Sequence, residues 1–183
     1  MTIDSRFEPV AELFFEQGRT LPGGSSLAIF QDGKPVLNLW QGEGNAGKPW
    51  DANTTSVIFS CTKGLASILA HRLVQEGKLD LEEKVSHYWP EFAQAGKENI
   101  PVEWLLQHKA GLSAIRRDLT IDEITDGHTI EEELAKQEPF WQPGSAHAYH
   151  ALTFGTLVGK LVHNITGLTA GQYFKQLISD PLQ

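Results

Sequence analysis

Apolar side chains near the start of the chain recur at helical spacing. Val10, Leu13 and Phe14 fall on one side of residues 7–18, and Gly18 ends the segment. Side chains three and four residues apart lie on the same face of an α-helix, and glycine is common at the end of the last turn. The pattern predicts a short amphipathic helix over residues 7–18.

Two apolar runs follow, residues 26–30 and 35–40, and the turn sequence Gln31-Asp32-Gly33 separates them. An Asp-Gly pair between apolar runs is typical of a β-hairpin, because both turn positions need a left-handed backbone. The pattern predicts two antiparallel strands. A hairpin alone is marginally stable in water, so we expect further strands or a packed helix to complete its sheet.

A helical period dominates from residue 60 onward. Leu65, Ile68, Leu69 and Leu73 line one face of a long helix predicted over residues 60–76. Further helices are predicted where an apolar stripe or a suitable first-turn residue occurs: after Pro101 and before Gly111, twice within residues 118–138, over residues 150–165, and from Thr169 to the residues before Pro181. The chain is therefore predicted to be a hairpin followed by a largely helical region.

Three polar pairs have the spacing of a capping box. In this motif a Thr side chain and an acid or amide three residues later bond to each other's backbone N–H groups and begin a helix. The three pairs are Thr120 with Glu123, Thr129 with Glu132, and Thr169 with Gln172. The acid-rich stretch that holds the first two pairs is expected to be a solvated surface.

Length and composition limit the possible classes of protein. A chain of 183 residues with 40% hydrophobic and 21% charged residues, without a repeat or a linker, predicts one globular domain over residues 1–183. A net charge of −8 argues against nucleic-acid partners and against binding to acidic membranes. The chain has no apolar stretch of signal-peptide or membrane-span length, and its single cysteine forms no intramolecular disulfide, so we expect a cytoplasmic protein.

Candidate chemistry begins at Ser60 and Lys63. Residues 54–58 form an extended, β-branched stretch that leads into the long predicted helix, so Ser60 falls in the first turn. Unpaired N–H groups and the helix dipole favour negative charge there. Lys63, three residues on, lies on the same face and can reach the Ser60 hydroxyl, which needs a base to become a nucleophile. The alternative is a serine N-cap followed by a solvated lysine, since an isolated S-x-x-K is weak evidence.

A second candidate is Tyr149, which follows the turn Pro143-Gly144 and precedes a predicted helix. A phenol near Lys63 can pass protons between a nucleophile and a leaving group. The alternative is a core or turn tyrosine whose hydroxyl bonds to backbone. His150 is predicted either to line the substrate pocket or to be a polar residue at the start of the helix.

Other potentially reactive residues are weaker candidates. The spacing of the seven histidines is not typical of a metal site. His147 and His150 alone do not form a metal-binding motif, so we expect no metal and no other cofactor. Cys61 is next to Ser60, but the S-x-x-K spacing favours Ser60 as the nucleophile. We expect Cys61 to be a small buried residue.

Four ordered motifs together resemble the serine β-lactamase-related superfamily, above all class C-like β-lactamases and family VIII carboxylesterases. The motifs are residues 59–64 (FSCTKG), 73–81 (LVQEGKLDL), 105–112 (LLQHKAGL), and Gln142-Pro143-Gly144 ahead of Tyr149. The similarity extends from about residue 20 to the C-terminus. It implies an α/β (α+β) fold of the β-lactamase/penicillin-binding type, in which helices flank an antiparallel sheet beside a largely helical domain.

The same resemblance implies residue roles and a substrate class. Ser60 is implied to be the acylated nucleophile, Lys63 its proton acceptor, and Tyr149 the general acid and base of a cofactor-free hydrolase. The substrate is implied to be a small ester or amide. The family's Tyr-x-Asn pattern is Tyr149-His150-Ala151 here, which favours esters over β-lactams.

A second departure is that the family's third motif, a glycine-containing strand downstream of the tyrosine, is not in this sequence. The strand would supply an oxyanion N–H, and losing one such donor costs about 2.7–4 kcal/mol of transition-state stabilisation. The predicted sheet is incomplete without it. The alternative expectation is therefore an inactive, truncated or split half that self-associates or needs a complementary chain.

Overall fold

The computed structural model describes residues 1–182, and for Ala46 the backbone alone. The chain folds as two compact units, Met1–Val57 and a second that begins at Ile58. The expectation of one domain over residues 1–183 stays a prediction, and its last residue lies outside the described part.

The first unit contains the predicted hairpin. Within residues 1–182, the strands β1 (Thr2–Ile3), β2 (Gly24–Gln31) and β3 (Lys34–Gly42) form an antiparallel sheet in the order β1-β3-β2. The hairpin turn is the predicted Asp-Gly pair, with φ of 52° and 74°. β1 was not predicted, because a strand of two residues has no periodicity to detect.

The predicted N-terminal helix is confirmed as α1 (Glu8–Gly18), which follows a 3₁₀ turn over Ser5–Phe7. Ala11 of α1 is buried in one apolar cluster with Leu37 and Leu39 of β3. α1 and β1 thus supply the packed helix and the additional strand that the hairpin needs for stability.

The second unit is built from helices. They are α2 (Thr62–Gln75), α3 (Val85–Tyr88), α4 (Val102–Leu106), α5 (Ile121–Thr125), α6 (Thr129–Lys136), α7 (Thr153–Thr166) and α8 (Ala170–Phe174), the last followed by a π-helical turn, Lys175–Ser179. The apolar stripes of α2 and α7 supply much of its core, including Leu69 and Leu73 with Leu157 and Leu161. Among the described residues, no helix has the length and apolarity needed to cross a membrane.

The start of α2 differs from its prediction. Residues 54–58 form no strand, and a 3₁₀ turn over Phe59–Cys61 precedes α2. β-branched residues favour strands only where a partner strand can accept their hydrogen bonds. Similarly, the helix predicted over residues 150–165 is α7, which begins at Thr153, three residues later than expected.

Two of the three predicted capping boxes are confirmed. The boxes that begin with Thr120 and Thr169 form as expected. The third is wrong: α6 begins after His128, and the Asp126 carboxylate accepts hydrogen bonds from the N–H groups of His128 and Thr129. The Thr129 hydroxyl itself donates to the Asp126 carboxylate, and the Glu132 N–H donates to the His128 carbonyl instead of to Thr129.

Gly144 fixes the turn ahead of Tyr149. Its φ is +83°, and a Cβ at this position would overlap the Trp104 ring. We expect Gly144→Ala to lower the free energy of unfolding by about 1–2 kcal/mol for the left-handed backbone, plus about 1–3 kcal/mol for the overlap. Urea unfolding measures this free energy for Gly144→Ala and for its matched control, Gly127→Ala.

Gly127 has a φ of +77°, but a Cβ there would meet no atom within 4 Å. The control should therefore lose only the left-handed contribution. Equal losses in the two variants would contradict the close approach of Trp104 to Gly144.

Candidate active site

Ser60 lies at the surface in the 3₁₀ turn that leads into α2. The residue before it, Phe59, has a φ of +43°, which is rare for a bulky side chain and indicates local strain. Cys61 N–H donates to the Ile58 carbonyl at 3.1 Å and closes the turn. The turn therefore holds an exposed serine hydroxyl at the N-terminal end of a 14-residue helix, where the helix dipole favours negative charge.

Lys63 projects from the first turn of α2 toward Ser60. Its Nζ donates to Ser60 Oγ at 3.2 Å and to the Ala151 carbonyl at 2.6 Å. The predicted contact between residues three positions apart is thus present. The second bond joins α2 to the segment that precedes α7.

Tyr149 completes the group. The Lys63 Nζ lies 4.7 Å from the centre of the Tyr149 ring, and 54% of the tyrosine is exposed. Hydrogen bonding by the Ser60 hydroxyl, followed by that of Lys63, lowers the pKa of Tyr149 below its ordinary value. A lowered pKa lets a phenol release and take up protons nearer to neutral pH. The three predicted side chains are therefore together.

His150 is not on the wall of this site. Its side chain is fully buried, Nε2 accepts from Leu112 N–H at 3.0 Å, and Nδ1 lies 2.7 Å from the Ala148 carbonyl. Because Nε2 accepts, the ring proton is on Nδ1, so both nitrogens are engaged. The substrate-binding prediction for His150 is corrected: its neighbour Tyr149 faces the site, and His150 points into the interior.

Two other expectations change with the structure. Cys61 is exposed rather than buried, because it lies in the surface turn that presents Ser60. Sequence reasoning also missed His108, whose ring lies 5.1 Å from that of Tyr149 and 5.1 Å from that of Phe154. Its signal in the sequence is the motif LLQHKAGL at residues 105–112, which contains it. In residues 1–182, no group of three or more His, Cys, Asp or Glu side chains could hold a metal.

A shallow cleft of about 300 Å³ lies at Ser60 and Lys63. Ser60, Lys63, Ala151 and Leu152 are among its lining residues. A neighbouring pocket of about 340 Å³ shares Ala151 and Leu152 with the cleft. The larger apolar side chains of this second pocket are Ile115, Leu119, Ile124, Ile130 and Leu152, and Arg117 and Asp118 are among its polar lining residues. An apolar cavity of this size is suited to a hydrocarbon group.

Comparisons with known proteins identify the family of this chain. A family model described as Beta-lactamase matches residues 11–183. The chain is 37% identical to the "Esterase/beta-lactamase LipL" of Mycobacterium tuberculosis over 98% of its own length and 42% of that protein. It thus spans less than half of this curated relative.

Solved structures show the same relationship. The chain is similar to a family VIII carboxylesterase, with 34% identity and a TM-score of 0.89 over 100% of this chain and 51% of that one. It is also similar to a penicillin-binding protein homologue from Caulobacter crescentus, with 34% identity and a TM-score of 0.92 over 100% of this chain and 50% of that one. The helices and small antiparallel sheet thus match the β-lactamase/penicillin-binding fold. The chain belongs to the serine β-lactamase-related superfamily.

Proposed function

We propose that this chain carries the nucleophile, base and tyrosine of a serine hydrolase that cleaves small esters through an acyl-serine intermediate. One observation carries the proposal: the Lys63 Nζ is hydrogen-bonded to Ser60 Oγ and lies 4.7 Å from the Tyr149 ring centre. A nucleophile within reach of a base, with a further proton carrier beside it, is the arrangement that covalent catalysis needs.

In acylation, Ser60 Oγ attacks the carbonyl carbon of the ester and its proton passes to Lys63. The proton then moves through Tyr149 to the departing alkoxide, so the carbon–oxygen bond of the ester breaks and an alcohol leaves. In deacylation, water attacks the acyl carbon and gives a proton to Tyr149, whose own phenolic proton passes to Lys63 and is held there for the departing Ser60 Oγ. The bond to Ser60 breaks, Oγ is protonated again, and a carboxylic acid is released.

Two features favour esters over β-lactams. The residue two positions after Tyr149 is Ala151, whose methyl side chain offers no hydrogen bond to the amide of a β-lactam, and its carbonyl already accepts from Lys63. The pocket of about 340 Å³ beside Leu152 is lined largely by apolar side chains and suits the acyl group of an ester. One structural neighbour is a carboxylesterase, while LipL is named as both an esterase and a β-lactamase.

The remaining expectations belong to the same proposal. They are a cytoplasmic location, a small-molecule substrate, no cofactor, and no nucleic-acid or membrane partner, and the net charge of −8 supports the last of these. The alternative function is a half that acts only after self-association or with a complementary chain. Phe59 and Leu152, 80% and 84% exposed beside the site, favour this alternative because they leave apolar surface uncovered.

Brief reaction with p-nitrophenyl esters of increasing acyl length, followed by mass spectrometry, tests the proposal. We expect an added acyl mass on the peptide that contains Ser60. The acylation rate should rise about fourfold for each methylene that the apolar pocket buries, since one buried methylene contributes about 0.8 kcal/mol. A chromogenic cephalosporin should react more slowly.

Three results separate the possibilities. An adduct elsewhere, or none in a folded sample, would contradict an active esterase. A rate that falls with chain length would contradict the acyl pocket. Turnover that rises with the square of the protein concentration would favour the self-associating alternative.

A further inference from the structure

Hydrogen bonds join residues 107–112 to the segment that precedes α7. The Lys109 carbonyl accepts from Gly144 N–H at 3.0 Å, and the Leu112 carbonyl accepts from Thr153 Oγ1 at 2.6 Å. These bonds lie on either side of Tyr149 in the sequence. Residues 107–112 therefore hold the segment that carries Tyr149 at one point before the tyrosine and at another point after it.

His108 binds the two residues that flank Tyr149. Its carbonyl accepts from Ala148 N–H at 3.3 Å, and its Nδ1 accepts from His150 N–H at 3.1 Å. The rings of His108 and Tyr149 are 5.1 Å apart, inclined at 56°. Tyr149 itself is 54% exposed, so burial restrains its ring only in part.

We propose, resting on the proposed function, that His108 is the positioning residue for Tyr149: by holding the peptide groups on both sides of the tyrosine, it keeps the phenol beside Ser60 and Lys63. A proton carrier must stay within hydrogen-bond reach of its partners, and a displacement of about 1 Å can reduce a rate about 100-fold. His108 touches no reacting atom in this role and acts through Tyr149.

The role requires one protonation state of His108. Nδ1 can accept from His150 N–H only when the ring proton is on Nε2, and an imidazolium would lose this bond. Burial, followed by the charges of Lys63 and His147, lowers the pKa of His108. The titratable groups that face the ring are Lys63 from α2 and His147, Tyr149 and His150 from the segment before α7. The neutral ring is thus favoured near neutral pH.

The backbone of His108 suggests the informative variants. Its φ is +59°, a left-handed value that asparagine tolerates better than most residues. His108→Asn provides a side-chain oxygen close to the position of Nδ1. His108→Phe keeps an aromatic ring but has no acceptor. His147→Phe is the matched control. The Nδ1 of His147 contacts the Gln107 carbonyl, and neither His147 nor Gln107 is adjacent to Tyr149 in the sequence, so this contact does not hold the peptide groups beside the tyrosine.

Ultraviolet absorption titration of tyrosine measures the position of Tyr149 without any need for turnover. The chain has three tyrosines, so subtraction of the Tyr149→Phe titration isolates this residue. We expect Tyr149 to titrate below its ordinary range in the unaltered protein, in His108→Asn and in His147→Phe. In His108→Phe its pKa should return toward the ordinary range, because the phenol leaves Ser60 and Lys63. An unchanged pKa in folded His108→Phe would overturn the proposal.

Fluorophosphonate labelling gives a second readout. His108→Phe should label about 100-fold more slowly, and His108→Asn should recover most of the rate. If the unaltered protein is not labelled while the titrations behave as expected, the proposed function fails and the positioning role stands. If His108→Phe does not fold, ¹⁵N NMR of the unaltered protein tests the proposal instead. We expect the ring proton of His108 on Nε2, and a proton on Nδ1 would overturn the proposal.

Discussion

Replacing Ser60 with alanine should remove the covalent adduct with an activated ester or a fluorophosphonate and lower ester turnover at least about 1,000-fold. The hydroxyl is the atom to which Lys63 Nζ is hydrogen-bonded, so no equivalent nucleophile remains in this geometry. Ser60 is exposed, and its loss should change the free energy of unfolding by no more than about 0.5 kcal/mol. Intact-protein mass spectrometry and thermal unfolding measure the two effects separately.

The neighbouring thiol provides the control for this experiment. Cys61→Ala removes the other exposed nucleophile of the same turn and should leave labelling and turnover close to those of the unaltered protein. Labelling that persists in Ser60→Ala and disappears in Cys61→Ala would assign the nucleophile to the cysteine and contradict the S-x-x-K assignment.

The second large effect is expected at Lys63. Lys63→Met keeps an unbranched side chain as far as Cε and removes the amine that bonds to Ser60 Oγ and to the Ala151 carbonyl. A lost general base typically slows a reaction about 10²–10⁴-fold, and we expect a fall of this size in the acylation rate. Stopped-flow release of p-nitrophenol measures it.

Lys63→Met should also change the pH dependence. Lys63 is one of the groups that lower the pKa of Tyr149, after the Ser60 hydroxyl, so its removal should raise that pKa. Any residual activity that needs the phenolate is lost as pH falls through this pKa, and its acid limb should therefore move to higher pH. Absorption titration of Tyr149 in the variant checks the direction.

A surface lysine serves as the matched control. Lys136 is exposed and pairs with Glu132 four residues earlier on α6. An exposed pair of this kind contributes little to stability, and Lys136 makes no contact with Ser60 or Tyr149, so Lys136→Met should keep full labelling and an unchanged Tyr149 titration. If Lys63→Met labels as fast as this control, Lys63 has no part in activating the serine.

Elements with a strong local pattern were predictable. The Asp32-Gly33 turn, α1 and the apolar stripe of α7 appear where the sequence places them, because turn chemistry and a helical period are properties of a few adjacent residues. The stretch before Ser60 was not predictable in this way. Its β-branched residues favour a strand, but within residues 1–182 no strand pairs with it.

The contact between Ser60 and Lys63 was determined by the sequence alone. Three residues span about one helical turn, and the 3₁₀ turn that holds Ser60 runs directly into α2, so the spacing brings these side chains together. The resemblance to serine β-lactamases likewise rests on ordered motifs, and the family comparisons agree with it.

Only the tertiary structure decided the surroundings of that pair. Lys63 and Ala151 are 88 residues apart in the sequence, and they meet because α2 and α7 pack through a shared core. The same packing turns Tyr149 to the surface, buries His150 and brings His108 against the segment between them. No local period encodes such contacts, since each depends on where distant elements dock. The sequence thus determined a serine and a lysine three residues apart where a helix begins, and the fold decided which residues surround them.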